Sequence, residues 1–354
     1  MPTESATTSL LSIISLITFF VFLLINKFLN QIGEISFLDK DFDKPQAFHK
    51  ESIARTGGVA SIVSLLFFFV LYYLLFQKIL IEYIILSFFM FLIGFPEDIK
   101  FNVKPSYRLV LMIIILISFI SIFSINISAM DLNFLKMWMS NGLFSTVFIL
   151  LCFLFIINGA NLIDGFNGLL TIHLLLINSI LLLININNDH QDLAIIIVAQ
   201  IIVLFVFLVF NFPRAQMFLG DSGSYLFGSL VAFNIIKTNN LNPEISSFFF
   251  CILLFYLFFE VFFSFFRKLS LKKSPLKPDK HHLHMLFYQF LEKSGKFKDS
   301  NYLNSLIINL IYLSVILPSI FFNDNGLICK YWFFCLLILY SFFYYLLYSF
   351  AKKQ

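Results

Sequence analysis

The chain alternates between apolar runs, most of them roughly 17 to 21 residues long, and short polar stretches. A helix needs about 20 residues to cross about 30 Å of hydrocarbon, so runs of this length suit transmembrane helices. In lipid the backbone must satisfy its own hydrogen bonds, which favours helices over open strands. Spans are expected at 10–29, 58–76, 79–95, 109–126, 143–157, 169–186, 193–210, 224–236, 247–266, 303–322 and 331–350, about eleven in all. Little chain is left for an extramembrane domain, and the pattern predicts one all-α, polytopic membrane domain over 1–354. The first run, Leu10 to Leu29, has no basic flank or Ala-x-Ala-like exit and is long enough to span. It reads as a retained helix rather than a cleaved signal.

The polar stretches are unequal. Those after even-numbered spans hold Lys78, Lys136, Lys237 and Lys330, which leaves 20 of the 24 Lys and Arg on the other side, counting the C-terminal tail and Lys27. Basic residues near span ends stay cytoplasmic, so the N-terminus is expected outside and the C-terminus inside. The same basic loops hold Asp43 to Gly58, Glu97-Asp98, Asn158 to Gly168, Asn211 to Ser224 and Pro278 to His284. Five dispersed polar segments are thus expected to meet on the cytoplasmic face and form one site.

Composition agrees with the membrane assignment: 60% hydrophobic, 12% charged and a mean hydropathy of +0.91 exclude an ordinary soluble domain. A net charge of +4 adds little to the loop-by-loop distribution. Cys152, Cys251, Cys329 and Cys335 show no CxxC spacing, so neither a disulfide framework nor a zinc site is indicated. The 51 phenylalanines read as lipid-facing filler.

Each polar segment has a functional and a plainer reading. If the fifth span continues through Asn158-Gly-Ala-Asn161-Leu-Ile-Asp164-Gly165-Phe-Asn167-Gly168, then Asn158, Asn161, Gly165 and Gly168 share one helix face. Carboxamides and a carboxylate at a membrane edge are costly without a polar ligand or cation; the alternative is a polar helix end with small residues for close packing. Phe218-Leu-Gly220-Asp221-Ser222-Gly223-Ser224 places an acid in a glycine-rich turn before a span. Backbone N–H groups there can approach phosphate while the acid holds Mg²⁺, or Asp and Ser can simply cap the helix.

Pro278-Asp-Lys-His-His282-Leu-His284 lies in a loop with nine Lys and Arg between Arg267 and Lys298, much of it suited to anionic lipid. Its histidines suit phosphate contact or proton donation better than hard Mg²⁺. Repulsion between vicinal Glu97 and Asp98 can raise one pKa or let the pair share a cation, although a solvated helix end is the plainer reading. His49, Lys50 and Arg55, before the flexible pair Gly57-Gly58, are phosphate clamps or positive-inside anchors.

These five segments, in this order over roughly 43–286, resemble the polyprenyl-phosphate N-acetylhexosamine-1-phosphate transferase family. The elements are DKPQAFHKESIARTGG, Glu97-Asp98, NGANLIDGFNGL, NFPRAQMFLGDSGS and PDKHHLHMLF. The His282-x-His284 pattern is similar to the GlcNAc-1-phosphate branch more than to the muramoyl-pentapeptide branch. The resemblance implies Mg²⁺, with Mn²⁺ as a substitute, bridging a UDP-sugar to protein oxygens. The lipid phosphate then attacks the β-phosphorus and releases UMP. It also implies Asp221 and Asn161 as metal ligands, and Asp98, Glu97 and Asp164 as catalytic acids. Substrate contacts fall to Asn158, Asn167, Asn211, Phe218 (stacked on uracil), Gly220, His282, His284, Arg55 and His49. The expected partners are a UDP-N-acetylhexosamine, polyprenyl phosphate and the bilayer, with a homodimer as the candidate assembly and no nucleic acid.

The sequence departs from the family pattern at Glu97, where Asp is usual, at Asn167, where Asp is common, and at Met285, in place of a third His. The segment before His49 is two residues short and lacks a usual Arg. A secondary transporter would show resembling halves and polar groups at the bilayer midplane, and a ligase of finished glycans would favour a large outward loop. No resembling halves and no large outward loop are present, and the polar segments lie at one edge.

Overall fold

The computed structural model describes residues 4–32, 38–39, 53–274, 279–295 and 299–352. It is built of helices: α1 Glu4–Ile32, α2 Gly57–Phe76, α3 Ile81–Asp98, α4 Pro105–Ile122, α5 Asn133–Met139, α6 Gly142–Ile163, α7 Leu169–Asn187 and α8 Gln191–Asn211. There follow α9 Gly220–Leu241, α10 Ser247–Leu253, α11 Phe255–Ser270, α12 Leu283–Lys293, α13 Ser300–Ile320 and α14 Gly326–Lys352. The one sheet among the described residues is a two-residue antiparallel pair, β1 Leu38–Asp39 with β2 Ile53–Ala54. The protein is all-α and multi-pass, with a helix on every expected span.

Eight helices are long and apolar enough to cross a membrane, or nine if α10 and α11 form one broken span. The expected count of about eleven also included α3 and α9, which differ in composition for a physical reason. α3 carries Glu82, Glu97 and Asp98 at its ends. α9 is buried continuously from Ser222 to Ile236, so its neighbours are protein rather than lipid and polar side chains find partners there. Asn234 donates to Gln200 at 2.8 Å and accepts from the Tyr83 hydroxyl at 3.1 Å, while Asn185 donates to Thr238 at 2.9 Å.

Small residues let the helices close on α9. A Cβ on Gly228 would meet Ala160 and the Ile157 backbone at 3.0 Å, which brings α6 against it. Gly94 of α3 faces the backbone of Asp221 and Ser222 with no room for a methyl group. The expected ninth span, 247–266, is not straight: α10 and α11 meet at 75° across Leu254. The Tyr312 hydroxyl donates to the Leu253 carbonyl at the break at 2.6 Å, satisfying a buried acceptor. Gly159 packs directly on the α11 backbone at Leu257.

Candidate active site

The polar segments meet at one end of the bundle. Asp98, the last residue of α3 and 1% exposed, accepts from the backbone N–H of Asp221 at 2.8 Å and of Ser222 at 3.0 Å, and from the Ser222 hydroxyl. The amino end of α9 is therefore capped by a carboxylate from another helix. This corrects the local cap considered for Asp221 or Ser222. It also means that these two N–H groups are committed to Asp98 and do not face phosphate. Burial, and then the Asp221 charge, push Asp98 up to about 7, against the Ser222 hydrogen bonds and Arg55. The expected repulsion from Glu97 is not among these causes. Gly220 carries φ +77°, and a Cβ there would run into the Asp98 carboxylate.

Asp221 itself points the other way. Its carboxylate pairs with the Arg108 guanidinium of α4, the two side chains being 18% and 13% exposed. Arg108 carries no motif signal, and only its place ten residues after Asp98, at the start of a span, hinted at a role. Glu97 is half-buried and acts electrostatically on Arg108.

The segment before α2 is laid alongside the Phe218 to Gly220 turn. The Phe218 N–H donates to the Ala54 carbonyl at 2.8 Å, and the Gly57 and Gly58 N–H groups donate to the Phe218 and Leu219 carbonyls at 2.9 Å. Gly57 and Gly58 are therefore not a flexible hinge. They open α2 as buried residues, and a Cβ on Gly57 would lie 2.8 Å from the Phe218 oxygen, with no room for one on Gly58 against Ser222. This pairing brings Arg55 into electrostatic reach of Asp98 and Asp164. His49 lies outside the described residues.

α6 continues through Asn158 and Asn161 but ends at Ile163, with Asp164 as its C-cap. Gly165 and Gly168 thus leave the expected helix face, because Gly168 adopts φ +76° and starts α7. Burial raises the Asp164 carboxyl well above the carboxylate range, and Asp221 adds to this against Arg55. Asn158 donates back to its own helix at Leu154, 2.7 Å away. Asn161 donates to the Ser224 hydroxyl at 3.0 Å, which leaves its amide oxygen as an acceptor. Asn211 accepts from the Gly168 N–H at 2.7 Å and donates to the Met217 carbonyl at 3.0 Å. Asn167 donates to the Pro213 carbonyl at 3.0 Å. Asn167 and Asn211 splice the 164–168 loop to the 212–219 loop. The Phe218 ring is half-buried beside them.

The histidine segment joins from α12. His282 and His284 are 3% and 0% exposed, their rings stacked 5.6 Å apart, rather than open to solvent. His284 meets the edge of Phe166, between Asp164 and Asn167, at 5.8 Å. Burial pushes His284 down to about 3. Burial alone would raise Asp279, but the Arg267 fork at 2.8 and 3.1 Å, with His282, takes it down to about 2.

Among the described residues no three His, Cys, Asp or Glu side chains cluster as a ready metal cage. The oxygens present nevertheless suit Mg²⁺, which keeps waters and takes one or two carboxylates plus substrate phosphates. Asp221 is partly accessible and already faces a cation in Arg108, Asp164 lies in electrostatic reach, and the Asn161 amide oxygen is uncommitted by its Ser224 bond.

The model of glycosyl transferase family 4 matches residues 80–239, which hold Asp98, Arg108, Asn161, Asp164, Asn211 and Asp221. The chain is 27% identical over 280 residues to an undecaprenyl-phosphate alpha-N-acetylglucosaminyl 1-phosphate transferase of Thermotoga maritima, covering 78% of this chain and 81% of that protein. It is 32% identical over 148 residues to a phospho-N-acetylmuramoyl-pentapeptide-transferase of Clostridium perfringens, covering 40% of this chain and 47% of the relative. To the Bacillus subtilis protein of the same name it is 30% identical over 207 residues, 55% of this chain and 64% of that one. The chain thus spans less than two thirds of these two muramoyl-pentapeptide relatives. Asp98, Asp164, Asp221, Arg108 and the site's carboxamides lie within the stretch that is similar to glycosyl transferase family 4.

Proposed function

We propose that this protein transfers N-acetylhexosamine 1-phosphate from a UDP-sugar to undecaprenyl or another polyprenyl phosphate at the inner face of the plasma membrane, releasing UMP. The step would start a lipid-linked cell-envelope glycan such as O-antigen. The observation that carries this reading is the division of labour between two acids. Asp98 is spent on holding the amino end of α9, while the Asp221 carboxylate faces Arg108 and lies in electrostatic reach of Asp164, which Arg55 also reaches. Two arginines and two outward acids at one end of the bundle suit a diphosphate, a cation and an incoming phosphate.

In the reaction an oxygen of the lipid phosphate bonds to the β-phosphorus, and the bond from that phosphorus to the bridging oxygen breaks, so UMP leaves with the electron pair. Bound Mg²⁺, held by Asp221 with Asn161, would neutralise charge on the diphosphate. Asp164, raised by burial, takes the proton of a protonated lipid phosphate. Arg55 and Arg108 offset charge that develops on the transferring group, and little covalent help is needed from the protein. Phe218 offers an aromatic face to uracil. His282 and His284, both buried, support the Asp164 loop rather than contact phosphate directly. The Thermotoga relative, matched over most of both chains, favours GlcNAc as the first donor to try.

The test is purified protein with undecaprenyl phosphate, Mg²⁺ and a panel of UDP-N-acetyl sugars, with UMP release and lipid products measured together. UMP with at least one donor and a matching lipid-linked sugar phosphate is expected. No UMP with any donor, from well-folded protein, would overturn the proposal.

A further inference from the structure

Glu260 lies in the middle of α11, a helix rich in phenylalanine, and is 1% exposed. A carboxylate in such surroundings needs several polar partners to stay folded in. One oxygen accepts from the Leu283 N–H, the first residue of α12, at 2.7 Å. The same oxygen lies 3.5 Å from Nδ1 of both His282 and His284. The other accepts from the Tyr340 hydroxyl of α14. A single buried acid therefore gathers α11, α12, α14 and both imidazoles. Beyond His284 the contact continues to Phe166, which the Tyr288 ring also meets, at 5.1 Å, and Phe166 sits between Asp164 and Asn167. Nothing in the motif pattern marks Glu260.

We infer that Glu260 is a positioning residue of the transfer reaction: it fixes the His282-Leu-His284 turn and, through His284 and Phe166, sets the loop that carries Asp164. This rests on the proposed transferase activity. Glu260 touches no reacting group; its effect passes through packed rings, and displacing an oriented group by about 1 Å can cost on the order of a hundredfold in rate. A merely stabilising acid would change the amount of folded protein and leave the loop where it is.

The experiment uses the full chain in detergent or nanodiscs, comparing wild type with Glu260→Gln, Glu260→Asp and, as a milder variant that keeps the acid, Tyr340→Phe. Rates are taken per folded molecule. Glu260→Gln is expected to lower kcat on the order of ten- to a hundredfold, with KM for the UDP-sugar nearly unchanged, and Glu260→Asp to restore part of it. Combined with Phe166→Leu, the loss should be smaller than the product of the two single losses. A second readout needs no turnover: carbethoxylation of histidines, mapped by mass spectrometry. His282 and His284 should be protected in the wild type and labelled faster in Glu260→Gln, and to a lesser degree in Tyr340→Phe. Full kcat in Glu260→Gln, losses that multiply with Phe166→Leu, or unchanged histidine protection would overturn the inference. Absence of UMP from the wild type would instead sink the transferase proposal, and the labelling would still decide whether Glu260 holds the turn.

Discussion

The backbone N–H of Asp221 donates to Asp98 Oδ1 at 2.8 Å, so the acid ending one helix caps the first turn of another. Adjacent bonds from the Ser222 N–H and hydroxyl complete the cap. Replacing Asp98 leaves buried donors without an acceptor, a loss of roughly 3 kcal/mol. Asp98→Ala should therefore lower both the thermal midpoint and activity, and Asp98→Asn, which keeps one acceptor oxygen, should do so less. Thermal unfolding followed by size-exclusion chromatography checks this, and an Asp98→Ala midpoint equal to wild type would contradict the capping role.

Glycines in the site should differ sharply in tolerance. Gly220 combines φ +77° with a Cβ position inside the Asp98 carboxylate, whereas Gly142 and Gly165 have nothing within 4 Å of a Cβ and no positive φ. Gly220→Ala should abolish activity and destabilise the protein by more than the left-handed conformation alone, which costs about 1–2 kcal/mol. Gly165→Ala, only three residues from Gly168 on the opposite loop, should stay near wild type in both folding and rate. Parallel expression, melting and turnover of the two variants is sufficient to test this.

In the proposed function the Mg²⁺ at Asp221 would compete with Arg108, whose guanidinium is paired with that carboxylate. Arg108→Gln should therefore bind Mn²⁺ more tightly in the absence of nucleotide, readable by electron paramagnetic resonance titration. Turnover should nonetheless fall about ten- to a hundredfold as charge compensation in the transition state is lost. Weaker Mn²⁺ binding in this variant would show that Arg108 helps to build the cation site rather than occupying it.

Most of the architecture was legible because long apolar runs have one stable solution in lipid, and all the expected spans are helical. The lapses have identifiable causes. The eighth span looked short because α9 is packed against protein and tolerates Ser, Asn and Gly. The bend at Leu254 has no proline or glycine to announce it. Motif order brought Asp98, Asp164, Asp221, Asn161 and Arg55 to one end of the bundle, yet it could not tell which acid would be used up in structure. That depended on where the carboxylate of Asp98 meets α9, a contact across 123 residues. Arg108 and Glu260 carried little signal for the same reason: each lies in a largely apolar helix, and a partner is distant in sequence.

Acid sensitivity follows from His284. Burial lowers its folded pKa to about 3, below the value of about 6.5 of an exposed imidazole. The unfolded chain therefore takes up a proton that the folded protein refuses, and the stability associated with neutral His284 is present above about pH 6.5 and declines as the pH falls toward 3. Asp279, lowered to about 2, adds a loss in the same direction below about pH 4. Thermal midpoints should drop from pH 7 to pH 5, and the drop should be shallower in His284→Phe. An equal slope in that variant would contradict a neutral buried imidazole.

The central claim concerns which bond of the donor breaks. A UDP-N-acetyl sugar labelled with ³²P at the β-phosphate, incubated with the protein, Mg²⁺ and undecaprenyl phosphate, should pass its label into the lipid fraction while unlabelled UMP accumulates, and Asp221→Asn should stop both. Label that remains in released UDP, or transfer that is undiminished in Asp221→Asn, would contradict the account.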